Sequence, residues 1–194
     1  MNALWYPSED RIKNANLTRY MNFLRENHAL DFHSFDDLYT WSITDRAHFW
    51  STLWEFFDIK ASTPYEAVLE DPDTMLESRW FTGARLNFAE HLLRYRDDRL
   101  ALIFKGEDQP PRHMSYRELY ESVARLVHSL QDIGVKRGDR VVGFMPNMIE
   151  TVIAMLATSS MGAIWSSCSP DFGIKGVLDR FGQVEPTVLF TANG

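Results

Sequence analysis

The feature that most constrains this chain is the regular alternation that begins near residue 99. Short apolar runs recur there, separated by amphipathic stretches and punctuated by glycine. Leu100-Ala101-Leu102-Ile103-Phe104 is a continuous apolar run, which predicts a buried strand. Gly106–Pro111 reads as a turn, and Ser115-Tyr116-Arg117-Glu118 as a capping box. Leu119, Val123, Leu126, Val127, Leu130 and Ile133 then follow at helical spacing up to Gly134, where a left-handed residue is commonly needed. Arg140–Met145 predicts the next strand. Pro146-Asn147 leads into a helix through Met161, Gly162 closes it, and Ala163–Cys168 returns as strand. A further helix is expected from about Ile174 to Gln183, then a strand over Thr187–Phe190. Strand–helix–strand–helix–strand at this spacing is the pattern of right-handed parallel crossovers. The expected fold class is therefore α/β: the first βαβαβ units of a parallel sheet.

The residues before this pattern differ in character. Of the net charge of −7, −6 is carried through Asp97 and −1 from Asp98 onward, and five of the six tryptophans fall in the first part. Large rings bury large areas, so this part reads as helices and loops packed through aromatic surfaces. The expected division is a helical, aromatic-rich region over 1–97 and an incomplete α/β domain over 98–194. Ser8, with Glu9 and Asp10, opens a helix carrying Ile12, Ala15, Tyr20, Phe23 and Leu24. Ser34 opens a short second helix. Thr44 caps a third, in which Phe49, Trp50, Leu53, Trp54 and Phe57 share a face; the Trp50/Trp54/Phe57 stripe is expected to be core. Ser62–Gly83, with Pro64, Pro72 and the acids Glu70, Asp71, Asp73 and Glu77, reads mostly as solvated loop. Asn87 resembles an N-cap for Phe88–Tyr95.

Several function classes lose support. An acidic chain lacks the basic stripe of a nucleic-acid surface. No apolar run approaches the ~20 residues that span a bilayer, and Met1-Asn2-Ala3-Leu4-Trp5-Tyr6-Pro7 lacks a signal-peptide layout. The expectation is a soluble, cytoplasmic protein with neither nucleic-acid nor membrane partners. Cys168 is the single cysteine, so no internal disulfide forms, and a buried structural thiol is expected. The six histidines are scattered, and no metal site is expected. G-x-G-x-x-G, G-x-x-x-x-G-K-[ST] and G-x-S-x-G are all absent. Arg137 and Arg140 beside Gly138-Asp139 read as a turn entering a strand. Parallel sheets place ligands at strand carboxyl ends, which leaves Met145-Pro146-Asn147 and Ser166–Gly173. Small and hydroxylated residues in the second loop let a ligand approach the backbone, but the local sequence favours a tight strand-to-helix turn in which Ser169 or Asp171 caps the Ile174 helix. No set of catalytic residues is complete.

Four blocks occur in order: Trp80–Glu90, Met114–Leu119, Met145-Pro146-Asn147 and Gly162–Gly173. Together with Leu4-Trp5-Tyr6-Pro7-Ser8 and Ala15-Asn16-Leu17-Thr18, they resemble the amino-terminal portion of the adenylate-forming acyl-CoA synthetases, and within them the acetoacetyl-CoA synthetase subgroup. The resemblance covers essentially the whole chain, and Gly162–Gly173 is its most specific block. It implies an acid–thiol ligase. ATP, Mg²⁺ and acetoacetate yield an acyl-adenylate and diphosphate, and CoA then displaces AMP. Acetate or propionate is the alternative substrate, and a binding or self-associating domain the alternative role. By family position, Ser169, Pro170 and Asp171 fall where relatives line the CoA nucleotide site with Phe-Gly-Gly. The family's phosphate loop, adenosine-binding aspartate, hinge and catalytic lysine have no counterpart here. The 194 residues alone are therefore expected to be inactive, to hold none of these cofactors tightly, and to self-associate if Thr187–Phe190 ends at a sheet edge.

Overall fold

The computed structural model describes residues 4–107 and 109–193. The reading of Met1–Ala3 as part of the opening, and Asp108 within the Gly106–Pro111 turn, lie outside the described residues, as does Gly194. The chain divides into two compact units, Met1–Leu86 and Asn87–Gly194.

In the first unit the Ser8 hydroxyl accepts the Arg11 amide at 3.3 Å and opens α1 (Glu9–Lys13). The helix expected to continue through Leu24 breaks at Asn14-Ala15. The Asn14 side chain donates back to the Asp10 carbonyl at 2.8 Å, ending α1 before α2 (Asn16–His28) begins. Such local side-chain bonds compete with helix continuation. Ile12 is left exposed, while Tyr20 and Leu24 are buried. Ser34 caps α3 (Phe35–Thr44) as expected, accepting from the Asp37 amide at 3.1 Å. α4 (Arg46–Phe56) is capped by Asp45 rather than Thr44. The Asp45 carboxylate accepts from the His48 amide at 3.3 Å, whereas the Thr44 hydroxyl donates back to the Thr40 carbonyl at 2.9 Å.

Tyr20, Leu24 and Leu38 form the core of this unit, with Phe49, Leu53 and Phe56 packed against them. The inward stripe of α4 is therefore Phe49–Leu53–Phe56, and the expected Trp50/Trp54/Phe57 stripe is one residue round the helix. At about 100° per residue that rotation leaves Trp50 and Phe57 at 43% and 48% exposure. Trp54 instead packs against Phe81 in a tilted pair, ring centroids 4.6 Å apart. The buried Thr52 hydroxyl pairs with the Tyr20 phenol at 2.7 Å, and burial pushes that phenol's pKa up. The sequence predicts loop over most of Ser62–Gly83, yet this segment contains an antiparallel hairpin. β1 (Ala67–Glu70) pairs with β2 (Arg79–Thr82), and Leu69 lies opposite Trp80. Arg79 approaches Glu70 at 3.0 Å and Asp71 at 3.9 Å, so part of the acid cluster is held by a cation across the hairpin.

The second unit opens with α5 (Phe88–Leu92), capped by Asn87, whose side-chain oxygen accepts the Glu90 amide at 3.1 Å. The Asn87 amide nitrogen donates to the Ser159 carbonyl at 2.9 Å. Residues 87–97 thus pack with the α/β residues on their carboxyl side, and the structural division precedes the composition break at Asp97. β3 (Leu100–Phe104) is a strand as expected, but it pairs antiparallel with β4 (Arg112–Ser115). Leu100 and Ile103 are 50% and 67% exposed, so β3 is a half-buried hairpin strand rather than a buried one. α6 (Tyr116–Asp132) carries the full capping box: Ser115 accepts from the Glu118 amide at 3.3 Å, and Glu118 accepts from the Ser115 amide at 2.7 Å. Gly134 follows at φ +88°.

β5 (Arg140–Phe144), α7 (Ile149–Ser160), β6 (Ile164–Cys168), α8 (Ile174–Val184) and β7 (Val188–Thr191) complete the chain in the expected order. The three strands form a parallel sheet in the order β6-β5-β7. Val141 and Val142 at its centre are both fully buried. Val141 joins the core built with α6 and α7, and Val142 the core of Cys168 and Phe181 on the α8 side. Successive strand residues point to opposite faces, so α7 and α8 lie on opposite sides of the sheet. Arg140 enters the strand as expected and donates to the Val184 and Glu185 carbonyls at 3.0 and 2.9 Å, closing the end of α8. Among the described residues no helix is long and apolar enough to cross a membrane.

Candidate functional site

Phe144 is in register with Cys168 on one side and Thr191 on the other, so the three parallel strands end level. The chain leaves β5 toward one face and reaches β7 from the other. This divergence of connections is where open α/β sheets place a ligand crevice. Two loops border it.

The loop after β5 is Met145–Met148. The Pro146 carbonyl accepts from the Met148 amide at 2.9 Å and from the Thr151 hydroxyl at 2.7 Å. Just inside α7, Glu150 accepts a 2.5 Å hydrogen bond from Arg112 of β4. The Arg112 guanidinium holds the Glu150 carboxyl below its ordinary value. This bond ties the antiparallel hairpin to the helix that leaves the central strand. Sequence reasoning missed the pair because its members lie 38 positions apart and neither belongs to a local motif.

The loop after β6 holds Ser169, Pro170 and Asp171 together, all exposed. The Ser169 hydroxyl donates to the Asp171 carboxylate at 2.8 Å, and the Asp171 amide approaches the Ser169 oxygen at 3.4 Å. The Phe172 amide donates to the Ser169 carbonyl at 3.1 Å. Neither Ser169 nor Asp171 caps α8. Gly173 occupies that position without a side-chain bond, because the two polar groups are spent on each other. Arg180, from the next turn of α8, lays its guanidinium 4.0 Å above the Phe172 ring. That contact was also unread in sequence; an Arg eight residues after a loop aromatic carries no signal without the helix turn between them.

Cys168 is buried and unpaired, packed beside Val142 and Phe181. Of the remaining acids and histidines, His28 and His48 meet edge to face with ring centroids 5.9 Å apart. His28 lies 3.2 Å from Glu55 and His48 3.4 Å from Asp45. Among the described residues no three His, Cys, Asp or Glu side chains are placed to hold a metal ion. The two loops present acceptors in the Pro146 carbonyl and the Asp171 carboxylate, and donors in the first-turn amides of α7 and α8, neither of which is capped by a side chain.

A family profile described as acetyl-coenzyme A synthetase N-terminus matches residues 35–92, and one described as AMP-binding enzyme matches residues 88–194. The chain is 43% identical over 191 residues to an acetoacetyl-coenzyme A synthetase of Rhizobium meliloti, covering 98% of this chain and 29% of that one. It is 40% identical over 192 residues to an acetoacetyl-CoA synthetase of Danio rerio (97% and 28% covered). A malonamoyl-CoA synthetase of Penicillium aethiopicum is 35% identical over 188 residues (93% and 26% covered). The solved acetoacetyl-CoA synthetase of Streptomyces lividans superimposes with a TM-score of 0.91 at 43% identity, over 98% of this chain and 30% of that one. The chain thus spans less than a third of the length of the curated relatives it matches.

Proposed function

The chain belongs to the AMP-binding enzyme family, and on that premise we propose that it is the leading part of an ATP-dependent, AMP-forming acetoacetate–CoA ligase. The proposed reaction converts acetoacetate, ATP and CoA to acetoacetyl-CoA, AMP and diphosphate. The observation that carries this reading is identity of 43% to an acetoacetyl-CoA synthetase across 98% of the chain, with a TM-score of 0.91 to a solved one. ATP supplies the adenylyl group that activates the acid, Mg²⁺ the charge that steadies its phosphates, and CoA the thiol that accepts the acyl group.

In this proposal Ser169, Pro170 and Asp171 line the nucleotide end of the CoA site. The Ser169 hydroxyl and Asp171 carboxylate accept hydrogen bonds from ribose hydroxyls or the adenine amino group. The Asp171 charge repels the phosphates and so orients the nucleotide. Pro170 holds the turn that keeps the two polar groups side by side. The site lies in the cytoplasm, and all its partners are small molecules. The edge of β7 that faces away from β5 pairs with a second copy when the 194 residues are isolated.

The test is diphosphate release with acetoacetate, ATP and CoA by the polypeptide of the relatives' full length that begins with this chain. Acetoacetate should be preferred over acetate and propionate. Preference for either of those would reassign the substrate. A second candidate acid, malonamate, is included because one relative is a malonamoyl-CoA synthetase. Ser169→Ala and Asp171→Ala should each raise the KM for CoA and leave the KM for ATP unchanged.

A further inference from the structure

A second concave site lies away from the strand ends, between α5, α6 and the last residue of α7. Its volume is about 380 Å³, within the range of small-molecule pockets. Leu93, Val123, Ala124 and Val127 give it an aliphatic wall. Leu93 and Val123 are buried in the core behind it, so that wall is fixed by packing. Tyr120 and His128 bracket the α6 side, eight residues or roughly 12 Å apart along the helix.

The distinguishing group is Arg96. Three neighbouring arginines are each held by a carboxylate: Arg99 by Asp97 at 2.8 Å, Arg117 by Asp98 at 2.8 Å and Arg112 by Glu150 at 2.5 Å. Arg96 has no carboxylate within ion-pair distance among the described residues; its guanidinium instead sits 3.9 Å from the centre of the Tyr120 ring. An arginine stacked on an aromatic face is pre-organised, and its in-plane N–H groups remain available for a bidentate carboxylate. The polar groups opposite are already committed. The Asn87 side chain is spent on the Glu90 amide and the Ser159 carbonyl, and the Ser160 hydroxyl donates to the Leu156 carbonyl at 2.7 Å. Glu90 also lines the groove and opposes any anionic ligand, so binding needs the Arg96 charge to outweigh it, and a second anionic group on the ligand is disfavoured further.

We infer that this groove binds an aliphatic monocarboxylate, its carboxylate on the outer edge of Arg96 and its chain along Leu93, Val123, Ala124 and Val127. This site is separate from the strand-end loops and does not depend on which acid the proposed ligase activates. Octanoate is the probe, titrated into the ¹⁵N-labelled 194-residue chain and followed by amide chemical shifts. Saturable shifts are expected at Leu93, Arg96, Tyr120, Val123, Ala124 and Val127. Octanamide and octylammonium, which keep the chain and lose the carboxylate, should bind roughly tenfold more weakly or worse. Arg96→Gln should weaken octanoate by a similar factor and leave octanamide unchanged; Arg96 is exposed, so this variant keeps the fold, checked by an unchanged amide spectrum elsewhere. Absence of saturable binding, shifts centred on another surface, or equal binding of octanamide and octanoate would each overturn the assignment.

Discussion

At the scale of single residues, Gly143 sits directly beneath a ring of the neighbouring strand. A Cβ built there would lie 2.7 Å from the Trp165 ring, and the ring is itself packed against the core. Gly143→Ala should therefore cost about 1–3 kcal/mol, the usual penalty of overfilling a packed interior. A lowered urea midpoint would show it, and replacing Trp165 with Leu in the same chain should recover part of the loss. Glu185 presents the opposite case. It ends α8 in the left-handed region at φ +51°, so Glu185→Gly should stabilise the chain by roughly 0.5–1 kcal/mol, with the denaturation midpoint as the check. Residues whose role is local are legible in the sequence. Ser8, Ser34, Asn87 and Ser115 are caps as read, because a hydroxyl or amide three positions ahead of its partner amide is a short-range signal. Thr44 is not a cap because Asp45, one residue on, is the stronger acceptor. Asp171 reads in sequence as a cap before a ligand contact, and its pairing with Ser169, which takes it from that cap, shows only once the loop is folded.

At the scale of elements, the Ser115–Glu118 box holds the start of the longest helix. Ser115→Ala should cost about 1 kcal/mol and should be visible as earlier amide exchange in the first turn of α6. The carboxyls of Asp97, Asp98, Glu118 and Glu150 all sit below their ordinary values. Hydrogen bonds lead in each: from Arg99, from Arg117, from the Ser115 backbone and from Arg112. A depressed carboxyl stabilises the fold above its unfolded pKa, and the effect disappears as pH falls through the folded value. The melting temperature should thus be level from neutral pH down to about pH 5 and fall below about pH 4, where free carboxyls begin to protonate. A profile that held flat to pH 2 would contradict this assignment. The parallel strands and their helices were legible because glycine punctuation and apolar runs alternate there. β4 and the β1–β2 hairpin were not. Arg112-His113-Met114-Ser115 and Arg79-Trp80-Phe81-Thr82 are four-residue strands, too short for a period of two to stand out.

At the scale of the whole molecule, the 194 residues in isolation should release no diphosphate from ATP and acetoacetate above background, because they span less than a third of the synthetases they resemble. Turnover by these residues alone would refute that expectation. Sedimentation at high concentration should show self-association reduced by Leu189→Lys, which places a charge on the exposed side of β7. The family could be read from ordered blocks along the chain. The acyl preference was read from the subgroup resemblance alone, and not from any residue of the two strand-end loops.

The adjacent valines of β5 have a consequence for how the second unit comes apart. Val141 and Val142 serve two different cores through one backbone, so neither helical layer can detach without loosening the ribbon that the other rests on. Amide exchange should then give α7 and α8 a common opening free energy. Inserting one residue between Arg140 and Val141 would turn each valine toward the wrong neighbour and dissolve both layers together.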